Sequence, residues 1–187
     1  MFPIGRYTGR DGAEHEITLA GRTVRLPAEH FSVWAFAHGP VDPVLARNAS
    51  WDRTALEWYA RLARVDAPPL ITELAGSGLL AGAPVTGPGA VGFARRHRAV
   101  PLMLGLGNTA GEPERFRLGF FGEDLIDVDA HTYDVWSWSA VEPDLWAACD
   151  ASTDPDAGNA AWILGGFLRD LHRLLSVNAV HLDLAGS

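Results

Sequence analysis

The chain has 187 residues, 48% of them hydrophobic, with a formal net charge of −8. No apolar run reaches the roughly 18 residues of a membrane-spanning helix and none follows a basic start, so a soluble cytoplasmic chain without a secretory signal is expected. One cysteine, Cys149, excludes an intrachain disulfide and is too little for a metal cage, and an acidic surface repels nucleic acid unless basic residues are concentrated locally.

The basic residues are all arginine, a composition expected of a high-GC bacterial genome. Ile4 to Thr8 reads as a short strand, and Gly9-Arg10-Asp11-Gly12 as a turn. Ile17 and Leu19, then Val24 and Leu26, alternate around Ala20-Gly21, which predicts a hairpin. Pro27 opens a helix to Ala37, ended by His38-Gly39-Pro40. After a loop to Ser50, Asp52 caps a helix over Arg53 to Arg64 that presents Leu56, Tyr59 and Leu62 on one face. Asp66 caps a third helix, with Leu70, Ile71 and Leu74 facing inward. Gly76-Ser77-Gly78 stops it, and Leu79-Leu80 leaves extended.

Gly and Pro concentrate in residues 81–92, so the chain divides into a unit 1–85, a linker 86–99 and a unit 100–187. Leu102, Leu104 and Leu106 predict a strand, Gly107 to Pro113 a turn, Phe116 to Phe121 a second strand, Gly122-Glu123-Asp124 another turn, and Leu125 to Val128 a third strand. Asp129 caps a helix, a shorter one covers Asp144 to Cys149, and a polar loop spans Asp150 to Asp156. A long helix follows over Ala160 to Leu175, with a stripe of Trp162, Ile163, Phe167, Leu171, Leu174 and Leu175. Asn178 ends it, and Val180, Leu182 and Leu184 alternate as a last strand.

The chain also repeats itself. Phe31-Ser32-Val33-Trp34-Ala35-Phe36-Ala37 returns as Tyr133-Asp134-Val135-Trp136-Ser137-Trp138-Ser139. The lead-ins (26–30 and 128–132) and the exits (Val41-Asp42-Pro43 and Val141-Glu142-Pro143) match as well. A repeat of this length means two copies of one supersecondary unit. Each copy reads as two or three strands, about three helices and an extended exit. The predicted class is α+β.

A short sheet followed by three helices with a Leu-rich exit resembles the winged-helix superfamily. With its strands placed first, the chain is most similar to the PqqD-like leader-peptide recognition elements. The residues that carry the resemblance are Val24-Arg25-Leu26-Pro27-Ala28-Glu29, the Trp34 helix, and Leu70 through Leu80. It implies two tandem winged-helix-like units and a non-enzymatic, peptide-binding accessory protein. A peptide would add as an extra strand beside the third helix. Carried onto this chain, that surface is Thr23, Val24, Arg25 and Leu26, with Leu70, Glu73 and Leu74, and Val24 presents an edge N–H. The partner would be an enzyme or its substrate peptide.

Winged helices also bind DNA, which gives a regulator as the alternative. Its residues would be the cluster Arg95, Arg96 and Arg98 with Arg169 and Arg173 on the last helix. The predicted third helix, Ala67 to Ala75, has no basic residue. A further alternative is an enzyme with a site between the two units.

The chemistry of catalysis is hard to find in the sequence. Gly105 to Gly111 looks like a phosphate loop, but a strand rather than a helix follows it. The seven histidines form no helical metal-binding pair. No nucleophile stands beside a base, no cofactor is implied, and Cys149 reads as buried core. Trp34, Trp136 and Trp162 fit core positions, and Trp51, Trp58, Trp138 and Trp146 are open between core and surface.

Overall fold

The structure, a computed structural model, describes residues 1–40, 51–153 and 159–186. The expected exit Val41-Asp42-Pro43, the loop to Ser50 and the tip of the 150–156 loop lie outside them. The architecture is α+β: seven helices and four small antiparallel sheets among the described residues.

Strand β1 (Phe2–Pro3) leads into a meander of β2 (Arg6–Asp11), β3 (Glu14–Leu19) and β4 (Arg22–Leu26). Helices α1 (Ala28–Phe36), α2 (Arg53–Leu62) and α3 (Ala67–Gly76) follow. The closing strand β5 (Leu80–Ala81) returns to pair with β1. The second half repeats the order. Strand β6 (His97–Pro101) precedes a meander of β7 (Leu104–Thr109), β8 (Glu112–Phe120) and β9 (Glu123–Asp129). Helices α5 (Ala130–Trp138), α6 (Leu145–Ala151) and α7 (Ala160–Ser176) come next, and β10 (Val180–Leu184) pairs with β6.

The repeated heptapeptide has a physical reason. A buried indole needs a partner for its N–H. Trp34 Nε1 donates to Ile4 O at 3.1 Å, and Trp136 Nε1 donates to Ala179 O at 3.1 Å. Both acceptors belong to one bridge that occurs twice: Ile4 N–H to Leu79 O (2.9 Å) and Leu102 N–H to Ala179 O (3.0 Å). The tryptophan therefore ties the first helix of each half to the point where its lead and closing segments meet. The helix exits match as well. Gly78 and Asn178 both sit at positive φ, and the residue after each donates back into its helix, Leu79 to Leu74 O and Ala179 to Leu174 O, both at 2.8 Å.

Caps at Asp52 and Asp129 form as expected, and Asp144, read as the first residue of its helix, is a cap as well; each carboxylate accepts a backbone N–H three residues on. Asp66 stands at the N-cap of α3 without a side-chain bond; Pro68 and Pro69 in the first turn leave fewer N–H donors to satisfy.

Several expectations are corrected. The stretch expected as a linker, 86–99, contains helix α4 (Gly87–Arg96) and the start of β6. Ala90, Phe93 and Ala94, at helical spacing, are buried in the shared core. The expected strand from Leu102 to Leu106 breaks at 102–103, between β6 and β7, and the turns tighten to residues 110–111 and 121–122. On α2 Leu56 is buried as expected, but Tyr59 and Leu62 are exposed and Ala60 is the other buried residue. Trp162 is 61% exposed, because at about 3.6 residues per turn it lies on the side of α7 opposite the face that buries Ile163, Leu164, Phe167, Leu171 and Leu174.

The halves share one core and are bonded along a seam. Gly5 N–H donates to Leu182 O at 2.7 Å, and Ala20 N–H to the Asp183 carboxylate at 2.8 Å. His172 on α7 donates from Nε2 to Met1 O at 2.8 Å and stacks on Phe2. Gly5 is required at its place: φ is +94°, and a Cβ there would stand 2.7 Å from the Ile17 side chain and 2.8 Å from Thr18 O.

Candidate functional site

The strand edges come first. Each meander has two outer strands, β2 and β4 in the first, β7 and β9 in the second. Bulges interrupt the pairing of β2 with β3, of β7 with β8 and of β8 with β9. Of the four ladders in the two meanders, only β3 and β4 pair without a register shift, from Leu19↔Arg22 to His15↔Leu26. Among the described strands β4 pairs with β3 alone. Bulges blunt an edge by twisting it away, so among the described residues β4 is the regular open edge of the two meanders.

The turn fixes which of its groups are free. Ala20 and Gly21 both have positive φ, at 49° and 72°, as a two-residue hairpin turn requires. Leu19 and Arg22 then form a hydrogen-bonded pair, and bonded pairs alternate along the ladder. Val24 and Leu26 bond inward to β3; Thr23 and Arg25 point their N–H and C=O groups outward. The outward donor is not on Val24, as the sequence suggested, because the turn sets the parity.

The side chains divide in the same way. Thr23 and Arg25 are exposed, Val24 is half-buried and Leu26 is buried. Arg25 is held along the sheet by Asp11 at 2.8 Å and Glu16 at 3.2 Å. On α3, Glu73 is exposed, Leu70 half-buried and Leu74 1% exposed. Leu26 and Leu74 thus hold strand and helix in the core and offer a partner no surface. Helix α1 packs against both β4 and α3, and His30 on it meets Glu73 at 2.9 Å.

The arginines of the alternative reading do not form one surface of free cations. Arg173 is half-buried, paired with Asp170 at 3.1 Å and donating to Asp127 O at 3.0 Å, so it braces α7 against β9. Arg95 lies over the Trp146 ring at 5.6 Å. Arg96 and Arg169 are exposed and Arg98 is half-buried. The apparent basic cluster spans a helix end and a strand, where successive side chains face opposite ways.

A second feature lies between the halves: an open cleft of about 450 Å³. Arg6, Tyr7, Phe31, Trp34 and His38 line it from the first half, and Leu175, Asn178 and His181 from the second. His38 Nδ1–H donates to Ala35 O at 3.1 Å, which leaves Nε2 as an acceptor; burial lowers its pKa, so the ring is neutral. Burial also pushes His181 down to about 4, helped by the nearby Arg6 and Arg98 and opposed by Asp183. Sequence reasoning missed this constellation, because no local spacing links position 6 or 38 to position 181.

Cys149 is buried, and burial pushes its thiol up to about 12, so it is inert as a nucleophile. Among the described residues no three His, Cys, Asp or Glu side chains gather as a metal site. Compared with protein-family models, curated proteins and solved structures, the chain matches none.

Proposed function

We propose that the protein binds a peptide or protein segment as an added strand along β4, as a non-enzymatic accessory to another protein. One observation carries the reading: among the described residues β4 is the regular open edge of the meanders, with the backbone groups of Thr23 and Arg25 directed outward. Main-chain hydrogen bonds to such an edge supply affinity, and side chains on alternate faces supply selectivity. Thr23, Val24 and Arg25 on the strand and Leu70 and Glu73 on α3 are the residues that would meet the partner. In this reading each half is a winged-helix-like unit, similar in its strand-first order to the PqqD-like peptide-recognition elements, and the protein works in the cytoplasm.

The test is a peptide selected from a displayed library against the full chain, then measured by fluorescence anisotropy. Thr23→Pro removes an outward N–H and puts a ring on the edge, where proline is compatible with the strand. It should weaken the selected peptide about tenfold or more, whereas Arg169→Ala should leave it unchanged. Equal affinity for the Thr23→Pro protein would sink the strand-addition reading. A labelled DNA duplex titrated in parallel at about 50 and about 200 mM salt covers the regulator reading, since binding that collapses between those concentrations marks phosphate contacts.

A further inference from the structure

We infer that the cleft between the halves binds a small planar aromatic carboxylate, with its ring against Tyr7 and Phe31 and its carboxylate on Arg6. The volume, about 450 Å³, lies within the roughly 300–1,000 Å³ of small-molecule sites. One wall is aromatic. Tyr7 and Phe31 stand 5.0 Å apart and Phe31 and Trp34 5.9 Å apart between ring centroids. His15 lies parallel to Phe31 at 3.8 Å and holds that ring in place from behind. Such a wall favours a flat ring, which can stack offset or edge-on at little entropic cost.

Charge sets the other half of the ligand. The protein carries 23 acidic residues, yet no Asp or Glu lines this cleft. Arg6 is exposed at its mouth, and its side chain makes no ion pair or hydrogen bond among the described residues. A guanidinium with a free planar fork, in a pocket without carboxylates, selects a carboxylate that it can hold with two parallel bonds. The neutral histidines set polarity without adding charge. Neither ring nitrogen of His181 is hydrogen-bonded among the described residues, and the His38 Nε2 acceptor suits a ring N–H or hydroxyl on the ligand.

The experiment is isothermal titration of the full chain with benzoate, 4-hydroxybenzoate and indole-3-carboxylate, each beside its uncharged amide. At least one acid should bind saturably at one site per chain, and its amide about tenfold or more weaker. Arg6→Gln should erase that difference by weakening the acid and sparing the amide. Ala35→Trp, which puts a large ring into the cleft, should abolish both, with circular dichroism reporting that the fold persists. Absence of binding by all three acids up to millimolar concentration overturns the proposal. So does an acid that binds no better than its amide, or an Arg6→Gln protein that keeps the difference. Thr23→Pro should change none of these titrations, which separates this site from the β4 edge.

Discussion

The tips of two equivalent hairpins meet different surroundings. Between β3 and β4 the tip is Leu19-Ala20-Gly21-Arg22, and its Ala20 N–H is bonded to Asp183 on β10. Between β8 and β9 the tip is Phe120-Phe121-Gly122-Glu123; Phe121 is 96% exposed and Phe120 50%. The more apolar tip is the uncovered one. Burial here is decided by the neighbour and not by the tip's own residues: β10 reaches far enough to meet the first hairpin, whereas β5 ends at Ala81 after two residues. Duplicated topology yields two surfaces because the second copy's last strand serves the first copy and no described strand does the same for the second.

The comparison assumes equivalent halves beneath the tips, and the two buried tryptophans test that assumption with the largest effect. Trp34→Ala and Trp136→Ala should each cost about 3–5 kcal/mol in urea unfolding, since each loses a buried ring and strands a carbonyl. A cost under about 1 kcal/mol for either would break the equivalence of the halves.

Acid should sharpen the contrast next. His172 and His181 lie along the seam, and burial pushes both down to about 4 from 6.5. Their folded pKa values are depressed, so the unfolded chain takes up protons first as pH falls. The stability they contribute is present above about 6.5 and is lost on the way down to about 4. Stability should fall over that window, and the Ala20 amide should exchange with solvent faster before amides of the β8–β9 tip change. Exchange at Ala20 that is flat between pH 7 and 4.5 would contradict this.

Asp183→Ala removes the acceptor at the docked tip and should cost about 1–2 kcal/mol, with faster exchange at Ala20. The smallest effect belongs to the free tip. Phe121→Ser should change stability by less than about 0.5 kcal/mol, because it removes nothing buried; a larger loss in thermal unfolding would mean that the tip is covered after all.

Local signals were legible and long-range ones were not. Asp52 and Asp129 announced their helices because a cap acts within four residues. The alternation around Ala20-Gly21 fixed a hairpin for the same reason. Helix α4 was masked by Gly87-Pro88-Gly89, although Pro is compatible with a first helical turn and Ala90, Phe93 and Ala94 already carried the spacing. The pairings β1 with β5 and β6 with β10 join residues about 80 positions apart, and no pattern within a short window encodes them. Of the β4 surface, the strand and the inward face of Leu74 could be read, but the outward direction of Thr23 and Arg25 depended on turn parity. The sequence offers a site between the units only as an alternative, and the residues lining the cleft were invisible because its walls come from both halves.

Strand β10 also sets a timetable. The Ala20–Asp183 bond spans 163 residues, and Gly5 waits for Leu182 over a similar distance. At about 5–20 residues per second of synthesis, the first meander exists for roughly ten to thirty seconds before its last hydrogen-bond partners leave the ribosome. Half of this protein is therefore made early and finished late, and the final strand is the latch on the first hairpin.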